Sequence, residues 1–259
     1  MCMAPGGFLQ TALETNRRAT ALAFSLPVSQ GGHDVLLRGS SKVDVRLLDV
    51  TMLAEDMGVA DIPAHHPDFD NFLPRQFGPD DVFDLALCDG QVLRTHPRAD
   101  YRERCESHRL TATQLVLSVE HLRPGGTMVM LLHKIEGWTT LLRIRALSTF
   151  ADVTTFKPTK SHSKRSSFYV VAKNVRSQSP EALKAVEEWK TVWKVGTFEP
   201  EKLEENWSPR EGHDAHEVLA DFGDELVRLG RRVWEIQADA LEKAPFIKTQ
   251  SVESAAEAS

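Results

Sequence analysis

Four short apolar runs, each stopping on a polar residue where a loop begins, constrain this chain more than any other feature. "ALAFSL" stops at Ser25 and Leu26 before Pro27, "VDVRLLD" at Asp49, "DLALCD" at Asp89 and "TMVMLLHK" at Lys134. Runs of this length bounded by Gly, Pro and Asp read as strands. Helical spacing fills the intervals: Phe8 to Arg18, then Leu110, Gln114, Leu117 and His121 within 100–122, then Trp138 to Phe150. A strand "DVTTF", a basic loop "KPTKSHSKRS" and a last strand "SFYVVAKN" complete the alternation. Strands interleaved with helices imply an α/β fold with a mostly parallel, doubly wound sheet, and such sheets bind ligands at the carboxyl ends of their strands. Asp49, Asp89 and Lys134 all fall on that edge. The third strand, "DVFDLALCDG", reads as buried on both faces, "RPGG" at 123–126 as a helix stop and turn, and 53–81 as a long covering loop.

The net charge of −6 argues against a protein that coats nucleic acid, so any basic patch must be local. Lys157, Lys160, His162, Lys164 and Arg165 supply one candidate patch for phosphate contacts. Three widely spaced cysteines without a C-x-x-C arrangement favour a reducing compartment and give no structural metal site. "HHPDFD" at 65–70 and "HDAH" at 213–216 lack a supporting ligand cluster and read as surface. No run is long enough to span a bilayer and no basic segment followed by an apolar one opens the chain, so an intracellular location without membrane association is expected. Beyond Val175 the alternation gives way to "SPEALKAVEEWKTVWKVG", with Leu183, Val186, Trp189 and Trp193 on one face, and to a second helix over 215–241. Three regions are therefore expected: 1–175, a helical extension 176–245 that offers a protein-interaction element, and a disordered tail 246–259.

The opening "MCMAPGGF" is the way a cofactor loop leaves a strand and enters a helix. Paired glycines let backbone approach a ligand, and the helix start offers unpaired N–H groups to an anion. No strand precedes it, so a first strand is expected to be missing. The dinucleotide fingerprint G-x-G-x-x-G is absent, which disfavours a nicotinamide enzyme.

Taken in order, "APGGF", the acid after "VRLLD", "LCDG", the Lys ending "MVMLLHK" and "KPTKSHSKRSSFYVVA" resemble the FtsJ-type ribose 2′-O-methyltransferases, a branch of the class I S-adenosylmethionine-dependent enzymes. The resemblance spans Ala4 to Ala172. It implies a Rossmann-like methyltransferase sheet whose missing first strand would lie in the middle, S-adenosyl-L-methionine as cofactor and RNA as substrate. It places Ala4, Pro5, Gly6, Gly7 and Phe8 in the methionine-side loop, Ser25 where the family offers an acid to the cofactor ribose, and Asp49 near the adenine. Asp49 could equally cap a helical turn starting at Thr51. The resemblance further implies catalytic roles for Asp89 and Lys134, puts Ser167 where the family's tetrad has Glu, and puts the tetrad's first Lys upstream of Met1. It leaves a second reading beside the enzyme, an inactive cofactor- or RNA-binding module of the same fold. Lys157, Lys160, Lys164 and Arg165 are the expected RNA contacts.

Overall fold

The computed structural model describes residues 1–37, 39, 41–93, 96–205 and 214–244. His213 and the expected tail 246–259 lie outside the described residues. The order of elements is α1 (Gly7–Thr15), β1 (Ala21–Ser25), β2 (Val43–Leu47), β3 (Phe83–Cys88), α2 (Glu106–His121), β4 (Leu122–His133), α3 (Trp138–Phe150), β5 (Asp152–Phe156), β6 (Ser167–Val175), α4 (Pro180–Phe198), α5 (Pro200–Glu205) and α6 (Ala215–Glu242).

Strands β1 and β2 pair in parallel, while β3, β4, β6 and β5 form a four-stranded sheet in that spatial order. The pair β3 with β4 is parallel, but β6 runs antiparallel to both β4 and β5. The fold is α/β as expected, yet the sheet is mixed rather than mostly parallel. Only the loop 157–166 joins β5 to β6, and without a crossover helix the chain must turn back on itself. "RPGG" is not a separate turn: β4 begins at Leu122 directly after α2, and Gly125 with φ +87 and a register shift after Gly126 absorb the change of direction.

Between β1 and β3 the opening residues make a short bridge. The Met1 amine donates to Leu87 O at 2.5 Å, Asp89 N donates to Met1 O at 3.5 Å, and Met3 N donates to Phe24 O at 2.8 Å. Below this bridge Leu22, Phe24, Phe83, Leu87 and Leu117, with Ser118 and His121, line a small cavity of about 60 Å³. Strand β3 is therefore not buried on both faces; Cys88 is its buried residue and Leu85 is 40 % exposed.

Side chains alternate along each strand, and the two faces of the four-stranded sheet fare differently. Cys88, Met128, Met130, Leu132, Phe168, Val170 and Ala172 are all buried on one face, in a core shared with α2, α3, α4 and α6. On the other face Leu85, Val129, Leu131, Tyr169 and Val171 stay partly open, and α1 contributes no buried residue to cover them. The helical extension belongs to the first core. Ser179 caps α4, accepting from Ala182 N, with Pro180 at the first helical position, and Trp189 and Trp193 are buried. Helix α6 presents Val218, Phe222, Leu226, Leu229 and Val233 at helical spacing to the same core, and Thr155 Oγ1 donates to Leu229 O at 2.6 Å. No helix among the described residues is long and apolar enough to cross a membrane.

Candidate active site

Gly6 makes the turn by which the opening residues enter α1. Gly6 sits at φ +114 as the N-cap of α1, a conformation that L side chains avoid, and a Cβ there would meet Leu37 Cβ at 3.2 Å. Pro5 O accepts from Leu36 N at 2.9 Å, which ties the turn to the loop after β1. Beside it, at the carboxyl ends of β1, β2 and β3, opens a cavity of about 760 Å³. Ala4, Ser25, Asp49 and Asp89 all line it, together with Asp68 and Arg102. Pro5, Gly6, Gly7 and Phe8 lie outside that lining and shape the turn instead. Ser25 is buried, and its carbonyl accepts from Leu48 N. Cys2 also faces the cavity; burial and the charges of Asp49 and Asp89 push its thiol up to about 11, so it is neutral near pH 7.

Asp49 divides its two oxygens. Oδ1 accepts from Thr51 N at 2.9 Å and from Thr51 Oγ1 at 2.7 Å, capping the tight turn Val50–Met52, while Oδ2 faces Arg102 Nη1 at 3.4 Å. The turn rests on a buried ionic floor. Arg109, wholly buried, donates Nη1 to Glu106 at 2.7 Å, Nη2 to Thr51 O at 3.0 Å and Nε to Thr197 Oγ1 at 2.9 Å. Trp193 of α4 donates Nε1 to the same Thr51 carbonyl at 2.9 Å, and Arg109 lies over its ring at 5.8 Å. Helix α4 thus braces the turn that carries Asp49. Trp193 stands out in the sequence only as a core residue, and the other partners do not, although Arg102, Glu106 and Arg109 follow the i, i+4 and i, i+3 spacing of helical ion pairs. Trp193→Phe deletes the donor and puts a smaller ring in place of a wholly buried indole, leaving the Thr51 carbonyl still bonded to Arg109. We expect a stability loss of about 2–3 kcal/mol by urea unfolding, because one neutral hydrogen bond is removed without orphaning its acceptor and the smaller ring leaves a cavity in the core.

Nearby, His66 is a structural residue. Its Nδ1 accepts from Asp68 N at 3.1 Å, which leaves Nε2 to donate to Thr197 O at 3.0 Å, and Phe72, Tyr101 and Phe198 surround the ring. Burial acts to push the Asp68 carboxyl up, but hydrogen bonds from Tyr101 and Asn71 and the charge of Arg102 hold it below the usual range. Among the described residues no group of three His, Cys, Asp or Glu could hold a metal.

Register sets the chemistry at the sheet edge. Cys88 pairs with Met130, so Asp89 stands level with Leu131, and Leu131 pairs with Tyr169 on β6. Tyr169 Oη reaches across β4 and donates to Asp89 Oδ1 at 3.3 Å. Partial burial raises the Asp89 carboxyl above its ordinary range against the Tyr169 hydrogen bond, and burial with the Asp89 charge pushes Tyr169 up to about 12. Lys134 follows three positions after Leu131, exposed and at φ +48, its backbone N–H held by Ser166 O at 3.0 Å. Among the described residues no hydrogen bond or ion pair joins Lys134 to Asp89. Ser167 is buried beside it, paired with His133. Tyr169 is not singled out by its sequence context; its place two residues beyond Ser167, on the same strand face, is the available signal.

Lys157 is placed differently from the other cations of its loop. It is 3 % exposed, and its ammonium donates to Arg165 O at 2.6 Å, Ser167 O at 2.7 Å and His162 O at 3.4 Å. Its charge is spent on fastening the loop and is not offered to a ligand. Lys160, Lys164 and Arg165 are exposed on the loop's outside.

Comparison with known proteins gives the fold a family. A family model of the FtsJ-like methyltransferases matches residues 1–175. No curated protein sequence matches the chain. Among solved structures, the chain is similar to a Plasmodium falciparum protein assigned as a ribosomal RNA methyltransferase, at 19 % identity and a TM-score of 0.39, over 68 % of this chain and 84 % of that one. It is also similar to human methyltransferase-like protein 13 in complex with SAH, at 14 % identity and a TM-score of 0.37, over 83 % of this chain and 84 % of that one. With the family model covering the whole sheet and every residue that lines the cavity, the chain belongs to the FtsJ-like methyltransferase family.

Proposed function

We propose that the chain is an S-adenosyl-L-methionine-dependent RNA ribose 2′-O-methyltransferase. The observation that carries this reading is the gathering of Ala4, Ser25, Asp49 and Asp89 around one cavity at the strand ends. The cavity fits the cofactor's chemistry: its volume suits a ligand of that size, and Asp49, Asp68, Asp70, Asp89 and Glu106 outnumber Arg98 and Arg102 on the wall, which favours a sulfonium cation and an adenine amine over an anion. The cofactor supplies an electrophilic methyl group.

The protein's own residues do the rest. Ala4, Ser25 and Asp49 hold the ligand, with Ser25 offering one neutral hydrogen bond to the cofactor ribose. A ribose hydroxyl is a poor nucleophile near neutral pH, so its proton must be withdrawn as it attacks. Asp89 lies at the cavity wall with a carboxyl more basic than usual, and Tyr169 fixes the orientation of that carboxylate. Lys134, at the end of the adjacent strand, neutralises the oxyanion as it forms. Lys160, Lys164 and Arg165 contact RNA phosphates, while Lys157 shapes their loop.

The test is transfer of labelled methyl from S-adenosyl-L-methionine to total RNA, with nuclease digestion to 2′-O-methyl nucleosides. Incorporation at the ribose establishes the reading, and incorporation only at bases refutes it. The lack of a hydrogen bond or ion pair between Lys134 and Asp89 among the described residues and the Ser at 167 favour the second reading, a binding module without turnover. Binding of both S-adenosylhomocysteine and RNA with no transfer selects that one.

A further inference from the structure

The open face of the four-stranded sheet carries two phenylalanines, Phe8 and Phe156, that methyl transfer leaves unused. Phe156, last residue of β5, pairs with Tyr169 on β6, and cross-strand partners share a face. Phe8 from the first turn of α1 meets Tyr169 edge-on, with ring centroids 5.4 Å apart. The two phenylalanines are 49 % and 58 % exposed at positions 8 and 156, so both side chains are about half open to solvent near the Asp89–Tyr169 pair.

Charge says what would lie on them. Phe156 leads directly into the loop 157–166, where Lys160, His162, Lys164 and Arg165 are exposed. Lys160, Lys164 and Arg165 have no acidic partner among the described residues. The Lys157 ammonium, bonded to carbonyls on both sides of the loop, holds these cations outward. Desolvation and the charges of Lys157 and Arg165 lower the His133 imidazole, as a locally positive edge requires. A purely apolar protein partner would not call for this ring of cations in a chain of net charge −6, whereas a polyanion with flat aromatic faces uses both features.

We propose that Phe156 and Phe8 are stacking platforms for bases of a single-stranded RNA segment flanking the methylated ribose, with Lys160, Lys164 and Arg165 holding its phosphates. The proposal rests on the RNA reading above and narrows it: the substrate is unpaired at the site, because a duplex hides its base faces.

The experiment measures fluorescence anisotropy of the full chain with a short labelled single-stranded RNA and with the same RNA as a duplex. S-adenosylhomocysteine binding is measured in parallel. Phe156→Ala is expected to weaken single-strand binding roughly tenfold, and Phe156→Trp to retain it. The Lys164→Ala, Arg165→Ala pair is expected to flatten the salt dependence by about 1.4 in log–log slope. Duplex binding should be weaker and insensitive to residue 156. If the parent chain binds single strands and Phe156→Ala leaves affinity unchanged, the platform is wrong while the RNA reading stands. If it binds S-adenosylhomocysteine but no RNA, both fall together.

Discussion

Arg109→Met is expected to lower the unfolding free energy by about 3–5 kcal/mol, more than any other single substitution around the cavity, measured by urea denaturation. The size follows from what remains. Glu106 and Arg109 are both buried, and removing the guanidinium takes the nearer cation from the Glu106 carboxylate, leaving it only Arg102 at 3.7 Å and the Thr51 hydroxyl at 3.2 Å. The Thr197 hydroxyl also loses its donor, and the Thr51 carbonyl keeps only the Trp193 N–H. Because Thr51 carries Asp49's capping bonds, the same substitution should disturb the cavity wall. The double change Glu106→Gln with Arg109→Met should recover part of the loss, since it removes the under-compensated charge. A loss under about 1 kcal/mol in the single variant would show that the floor is not held by this pair.

Asp89→Asn is expected to reduce methyl transfer by roughly 10²–10⁴-fold, the range lost with a general base, while S-adenosylhomocysteine still binds. Asparagine keeps the shape and the Tyr169 contact but cannot accept a proton. The pH profile of the parent chain checks the same assignment. A base must be ionised to act, and burial raises the Asp89 carboxyl, so activity should rise with pH through a midpoint above the ordinary aspartate value near ~3.9. Tyr169→Phe removes the hydrogen bond that opposes this rise, so the midpoint should move further up. An unchanged midpoint in Tyr169→Phe would detach the profile from Asp89.

Much of this arrangement is legible in the sequence, for physical reasons. Strand and helix positions follow hydrophobic period, and α3 and β5 fall on the expected residues. The strand-end residues Ser25, Asp49 and Asp89 can be expected at one cavity because sheets of this class converge their carboxyl ends. The antiparallel direction of β6 is not legible, because direction depends on how the chain crosses between strands, and a ten-residue loop carries no period that reveals it. Lys157 shows the limit of reading composition: it sits in a basic loop like its neighbours, yet its ammonium is turned inward onto carbonyls. The brace from α4 is hidden for a related reason. Trp193 has the spacing of a core residue, and only the folded chain shows its N–H meeting the turn beneath Asp49.

The most direct test is an isothermal titration of the chain with S-adenosylhomocysteine, repeated on Asp49→Ala and Trp193→Phe. Saturable one-to-one binding is expected, lost or strongly weakened in Asp49→Ala and weakened roughly fivefold in Trp193→Phe, the equivalent of about 1 kcal/mol. Equal affinity in all three would place the ligand elsewhere, and no binding by the parent chain would contradict the assignment of the cavity altogether.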